Sequence, residues 1–280
     1  MKKYLKKIIK ILISKTVSIL FIFKFGRYIL EKIQIFINLK TYKILYKKKK
    51  YNFLIPNRLN YFRAKTFFSK EPETIRWIEN FDDNSIFWDV GANIGLYSCF
   101  AAKEKKTKSY AFEPSAFNID LLTKNIFNNN VNDKVIVVPF SLTEKSKISY
   151  FNMMSTEPGG SRSSFSEIYN EDGKFDPFFK YQAIGLSGND LVNKLSFDKP
   201  NYIKIDVDGI EYLILQGLNE ILDGTKSILI EVSENNHKNK EEINKFLKEN
   251  NFIFTEKSQS DLIKYSKFNS NTFNEIWTKK

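Results

Sequence analysis

The nine residues from Phe87 to Gly95, FWDVGANIG, constrain this chain more than any other stretch. Ile86-Phe87-Trp88 is apolar and rich in β-formers, as a buried strand requires. Gly91 and Gly95 let the backbone turn sharply and admit a ligand where a Cβ would stand. Leu96 to Lys103 has helical spacing, so the following helix aims its N-terminal amides at the same crevice. A second apolar run, Ser109 to Phe112, ends at Glu113, 24 residues after Asp89. This order puts a carboxylate at the tip of the neighbouring strand, within reach of a ribose diol. The expected product is a nucleoside site formed by Asp89, Gly91, Ala92, Asn93, Gly95, Glu113 and Pro114, with Ser141 beyond the third strand.

The missing motifs narrow the nucleoside. Asn93 stands where the dinucleotide fingerprint G-x-G-x-x-G has its second glycine, and no G-x-x-x-x-G-K-[ST] loop occurs to cradle a triphosphate. Asp89 repels phosphate and suits a cationic or amine-bearing ligand. S-adenosyl-L-methionine has a sulfonium, an amine and a ribose, and no phosphate.

Three segments carry a family resemblance: DVGANIGLYS at Asp89 to Ser98, FEPS at Phe112 to Ser115, and IKIDVDGIE at Ile203 to Glu211. In this order they resemble the signatures of FkbM-type S-adenosylmethionine-dependent methyltransferases, over roughly two thirds of the chain from Asn84 to Trp277. Where that family usually has Glu, this chain has Asp208, a shorter acid of the same charge. The resemblance implies a Rossmann-like α/β fold with a mostly parallel seven-stranded sheet and one antiparallel strand. It also implies S-adenosyl-L-methionine as cofactor and a hydroxyl of a sugar or natural product as acceptor.

The β-α alternation reads independently as strands at 86–90, 108–112, 134–139, 201–206 and 226–232, with helices at 94–104, 116–128, 210–222 and 239–250. Strands at 252–255 and 272–278 close the chain with no helix between them, hence one reversed strand. Ile148 to Phe151 suggests an added strand. The polar stretch from Ser155 to Lys180 has the length and composition of a lid or a disordered loop.

Ligands in such sheets sit beyond the carboxyl ends of the strands. Asp206, Asp208 and Glu211 therefore face the acceptor side, although acids there also cap the next helix. Glu231 ends the next strand. Asp206 is the first candidate for general base or for orienting the acceptor. His237, the only histidine, is an ordinary loop residue or a second base, its unperturbed pKa suiting catalysis near neutrality. No [DN]-P-P-[FYW] clamp for exocyclic amines and no Pro-Cys nucleophile occur, which favours transfer to oxygen.

The net charge of +12 belongs wholly to the N-terminus: residues 1–50 carry 15 Lys or Arg and one acid, Glu31. The rest, at a net charge of −2, offers no footprint for nucleic acid. Leu5, Ile8, Ile9, Leu12, Ile19, Leu20 and Phe23 recur at helical spacing, with Lys3, Lys6, Lys7 and Lys10 on another side. Such a basic amphipathic helix packs on the domain, meets an anionic membrane surface or contacts RNA. The chain divides on composition into a helical segment at 1–60 and a catalytic domain at 61–280. The single cysteine, Cys99, reads as core, and it fits a cytoplasmic setting, with or without inner-membrane contact. One Cys and one His exclude a His/Cys metal site. A surface-polysaccharide acceptor is the leading expectation. A tethered RNA methyltransferase and a non-catalytic cofactor-binding protein are the alternatives.

Overall fold

The computed structural model describes residues 2–167, 169–170, 173–174, 176–260 and 271–280. Helices α1 (Lys2–Ile22) and α2 (Lys24–Leu39) follow one another and touch around Leu20 and Gly26, then strands β1 (Thr41–Tyr46) and β2 (Lys49–Leu54) form an antiparallel hairpin. Helices α3 (Arg58–Lys70) and α4 (Pro72–Glu79) precede the alternating region. That region begins β3 (Ile86–Val90), α5 (Leu96–Lys105), β4 (Lys108–Phe112), α6 (Ala116–Asn128), β5 (Val135–Val138). Its middle holds β6 (Ser141–Leu142), β7 (Lys147–Met153), β8 (Ser163–Phe165), β9 (Tyr169–Asn170), β10 (Gly173–Lys174) and β11 (Phe179–Leu186). The chain ends α7 (Gly188–Leu195), β12 (Tyr202–Ile205), α8 (Glu211–Gln216), β13 (Ser227–Ser233), α9 (His237–Glu249), β14 (Phe252–Ser258), β15 (Thr272–Lys279).

The main sheet has seven strands in the order β14-β15-β13-β12-β3-β4-β5. Strands β3, β4, β5, β12 and β13 pair in parallel, and β15 runs antiparallel to both β13 and β14. This is the sheet expected from the alternation. The order reverses beside β3, which opens a crevice between the carboxyl ends of β3 and β12.

Period-two alternation divides each central strand between two cores. Trp88, Val90, Tyr110, Phe112, Ile203, Ile205, Ile228 and Ile230 pack on one side with Leu191, Ile214 and Leu247 of the helices. Phe87, Ala111, Tyr202 and Leu229 pack on the other with Phe67, Ile78 and Phe100. Cys99 is buried in that second core.

The hairpin β1–β2 was not expected. Lys47 and Lys48 form its two-residue turn, both at positive φ (43° and 69°). That position usually selects Asn-Gly, so the local signal for a hairpin is absent. Tyr51 and Phe53 are fully buried in the second core, next to Phe67, Phe68 and Phe100. Residues of the 41–60 segment thus share a core with the body that follows, and Arg58–Lys70 continues it as a helix.

The stretch from Ser155 to Lys180 also differs from a plain loop. Its described residues include β8 and the start of β11, which join β6 and β7 in a second, four-stranded sheet of order β6-β11-β7-β8. Gly185 permits this packing: a Cβ there would lie 2.3 Å from Phe165. Residues 168, 171–172 and 175 of that stretch lie outside the described residues.

Candidate active site

Gly91 sits at the crossing of the two central strand tips. Its φ is +86°, and a Cβ would lie 2.0 Å from the Asp206 carbonyl oxygen, so no other residue fits. The Gly91 and Ala92 amides both donate to the Phe112 carbonyl (3.1 and 3.0 Å), which ties the turn to β4. Asn93 is left-handed (φ 51°), and its amide donates to Glu113 Oε2 at 2.9 Å. The Ser115 amide donates to Glu113 Oε1 at 2.8 Å. Burial raises the Glu113 carboxyl to about 7, against those two amides. It lies at the end of β4, where a ribose diol was expected.

Two chambers open on either side of Gly91, Asn93 and Asp206, which line both. The first, about 600 Å³, is walled by Glu113, Pro114, Phe140, Ser141, Phe165 and Asp208, among others. Among the described residues no Lys or Arg lines it, so none of them offers a phosphate a cationic partner there. Among the described residues, two buried polar atoms on its walls have no hydrogen-bond partner: Asn93 Oδ1 and Ser141 Oγ. Unpaired buried polar atoms are rare and costly, and on a groove wall they mark positions for ligand groups. Hydroxyls, an amine-bearing base and an uncharged sugar fit this donor set.

The second chamber, about 480 Å³, is lined by Arg63, Phe67, Lys70, Glu71 and Tyr97 together with the glycine turn. Lys70 pairs with Glu71, the Tyr97 hydroxyl donates to Glu71 Oε2 at 2.7 Å, and Lys204 pairs with Asp206. Lys204 is 1% exposed and stands in register beside Asp89, on the same face of the sheet. Burial works against the Glu71 charge, but Lys70 and Lys204 outweigh it and hold this carboxyl at about 2.

A strap from the second sheet crosses the groove. The Pro158 carbonyl accepts from Asn57 Nδ2 (2.9 Å) and Asn60 Nδ2 (2.8 Å), and the Gly159 carbonyl from Arg63 Nε (2.9 Å). The Gly160 carbonyl accepts from Asn93 Nδ2 (2.8 Å) and Asn118 Nδ2 (3.1 Å). The Ser163 amide donates to Asp208 Oδ2 at 2.9 Å. The strap is thus pinned by side chains from α3, the glycine turn and α6.

Several expected residues meet here and others do not. Gly91, Ala92, Asn93, Glu113, Pro114, Ser141, Asp206 and Asp208 all line the groove. Asp89 does not. Strand alternation turns it under α5, where Oδ2 accepts from Ser98 Oγ at 2.5 Å, and it touches the groove only electrostatically, through the neighbouring charges of Lys204 and Asp206. Gly95 is likewise structural: at φ +79° its missing Cβ leaves room for Leu122, whose Cδ1 would otherwise be 2.3 Å away. Glu211 is 2% exposed, accepting from the Gly209 amide (2.8 Å) and from Asn239 Nδ2 (3.0 Å), which ties α8 to α9 outside both chambers. His237 is exposed at the start of α9 and lines neither chamber, nor does Glu231. Sequence reasoning missed Arg63, Lys70, Glu71, Tyr97 and Asn118. They come from α3, α4 and the helices after each strand, and no local motif marks them.

This chain is similar to two curated methyltransferases and to a solved structure. A hexuronic acid methyltransferase, AglP of Haloferax volcanii, is 28% identical over 163 residues, 58% of this chain and 62% of the relative. Methyltransferase sdnD of Sordaria araneosa is 26% identical over 165 residues, 51% of this chain and 64% of the relative. The chain therefore spans less than two thirds of the length of either. The crystal structure of an FkbM methyltransferase from Methylobacillus flagellatus superposes with a TM-score of 0.46 at 14% identity, covering 78% of this chain and 53% of that one. Residues 89–254, more than half of the chain, match the methyltransferase FkbM domain. The chain belongs to the methyltransferase FkbM domain family.

Proposed function

We propose that this chain is an S-adenosylmethionine-dependent O-methyltransferase acting on a hydroxyl of a sugar, glycolipid or natural-product acceptor. The observation that carries this reading is the cation-free chamber whose walls present Glu113 and the unpaired Ser141 Oγ, joined at Asp206 to a second chamber. Glu113 and Ser141 would hold the nucleoside of the donor. The donor supplies an electrophilic methyl group. Alignment of the acceptor oxygen with it accounts for much of the rate. Asp206, fixed in direction by Lys204, would orient the acceptor hydroxyl and take its proton. The hexuronic acid methyltransferase among the relatives supports a sugar acceptor, and a surface polysaccharide precursor is the acceptor we favour.

Replacing Asp206 by Asn should lower turnover by roughly 10²–10⁴-fold while binding of S-adenosylhomocysteine survives. Near-normal turnover would remove Asp206 as base. Mass spectrometry of envelope glycans from a deletion strain, sought for the loss of one methyl increment, would identify the acceptor.

We also divide the chain near Lys40, into the helical pair α1–α2 and a catalytic body that includes the hairpin β1–β2. The pair carries exposed large apolar side chains, among them Leu5, Leu12, Phe21, Phe25 and Phe36, beside Lys6, Lys7 and Lys10. No helix among the described residues is long and apolar enough to cross a membrane. We infer that this pair lies on an anionic lipid surface, where each Lys adds about 1 kcal/mol to the burial of the apolar face. Full-length protein should float with phosphatidylglycerol vesicles, less so in high salt or after Leu12→Asp. A soluble dimer that ignores the vesicles would contradict this.

A further inference from the structure

Resting on that donor reading, we propose that Arg63 binds the α-carboxylate at the amino-acid end of S-adenosylmethionine and so couples donor binding to the strap. The donor is a rod with chemically distinct ends. Glu113 and Ser141 fix its nucleoside in the first chamber, so its amino-acid end continues past Gly91 into the second. There a carboxylate needs a cation. Of the two that line this chamber, Lys70 is already paired with Glu71. Arg63 forms no ion pair among the described residues, although Asp206, Glu71 and Asp208 are close enough to attract its charge. Its Nε is committed to the Gly159 carbonyl at 2.9 Å. The two terminal nitrogens make no hydrogen bond among the described residues, and they form the fork that matches a carboxylate.

One side chain thus holds the strap with one nitrogen and has two others for a ligand. A carboxylate on the fork would immobilise Arg63 and with it Gly159 and Gly160, which Asn93 and Asn118 hold from the other side. Donor occupancy and strap order then share a residue. The glycine turn belongs to the same circuit, because Asn93 meets both Glu113 and Gly160.

Calorimetry on the full chain separates the parts, using S-adenosylhomocysteine and 5′-methylthioadenosine, which lacks the amino-acid end. The informative variant is Arg63→Gln, whose amide nitrogen sits where Arg Nε does, so the Gly159 bond can persist without the fork. The expected result is a loss of about 10- to 100-fold in affinity for S-adenosylhomocysteine, with 5′-methylthioadenosine unaffected. Hydrogen exchange across residues 157–164 should slow with S-adenosylhomocysteine in the wild type, and not with 5′-methylthioadenosine or in the variant. Unchanged S-adenosylhomocysteine affinity in Arg63→Gln overturns the proposal, as does an equal loss for both nucleosides. A wild-type chain that binds neither overturns the donor reading and this inference together.

Discussion

Glu113 and Glu71 are buried carboxylates at opposite ends of one groove, and their environments push them in opposite directions. Burial outweighs everything that favours the Glu113 charge, namely two backbone amides, the Asn118 side chain and the more distant Arg63, and the carboxyl rises to about 7. Glu71 is buried as deeply, but Lys70, Lys204 and the Tyr97 hydroxyl hold it at about 2. A carboxyl kept near neutrality is suited to exchange its amide partners for ribose hydroxyls. A carboxylate locked between two ammonium groups is suited to stay where it is. The first end is built to receive a ligand, the second to hold charges in place beside Arg63 and Asp206.

The largest expected effect probes the locked end. Lys204→Met leaves the buried Asp89 and the partly exposed Asp206 without their ammonium partner and should cost about 3–5 kcal/mol of stability, read by urea denaturation. A loss below 1 kcal/mol would mean that the charges at this end are not interdependent. Next comes the junction. Gly91→Ala puts a Cβ against the Asp206 carbonyl at positive φ and should cost about 2–4 kcal/mol, sensed by thermal unfolding. Gly95→Ala should cost less, since its obstacle is the flexible end of Leu122.

The third test is pH. Glu113 holds its proton in the folded chain between 4.5 and about 7, where the unfolded chain has released it, so its contribution to stability falls as pH rises through that window. Glu71 behaves oppositely: its contribution is complete above 4.5 and is lost as pH falls toward 2. If the ionised carboxylate holds the ribose, affinity for S-adenosylhomocysteine should weaken below pH 7 by at most about tenfold per unit. Glu113→Gln should abolish that dependence. The smallest effect completes the contrast: Glu113→Gln should change stability at pH 8 by no more than about 1 kcal/mol, because relief of charge burial offsets one lost amide bond.

The receiving end was legible in the sequence because it is local. Strands 86–90 and 108–112 have the expected bounds, and the turn between them brings Asp89, Gly91, Asn93 and Glu113 within 25 residues of one another. The locked end was not. Lys204 on β12 and Asp206 just past its end could be read, but Arg63 and Lys70 on α3 and Glu71 at the α3–α4 junction arrive through tertiary packing that leaves no periodic mark. For Glu211 and His237 the sequence left a catalytic and a structural role open, and the structure places the Glu211 carboxylate between α8 and α9 and the His237 imidazole outside both chambers. Of the second sheet only the strand at Ile148 to Phe151 was legible, because its long partner β11 lies beyond the polar Gly-Ser stretch and β6 and β8 are two and three residues long.

The central claim is that the groove holds S-adenosylmethionine with its ribose on Glu113. Titration calorimetry of the full chain with S-adenosylhomocysteine tests it most directly. The account predicts one-site binding that persists in Asp206→Asn and collapses in Glu113→Ala. Folded protein that gives no heat, or binding indifferent to Glu113→Ala, would contradict it.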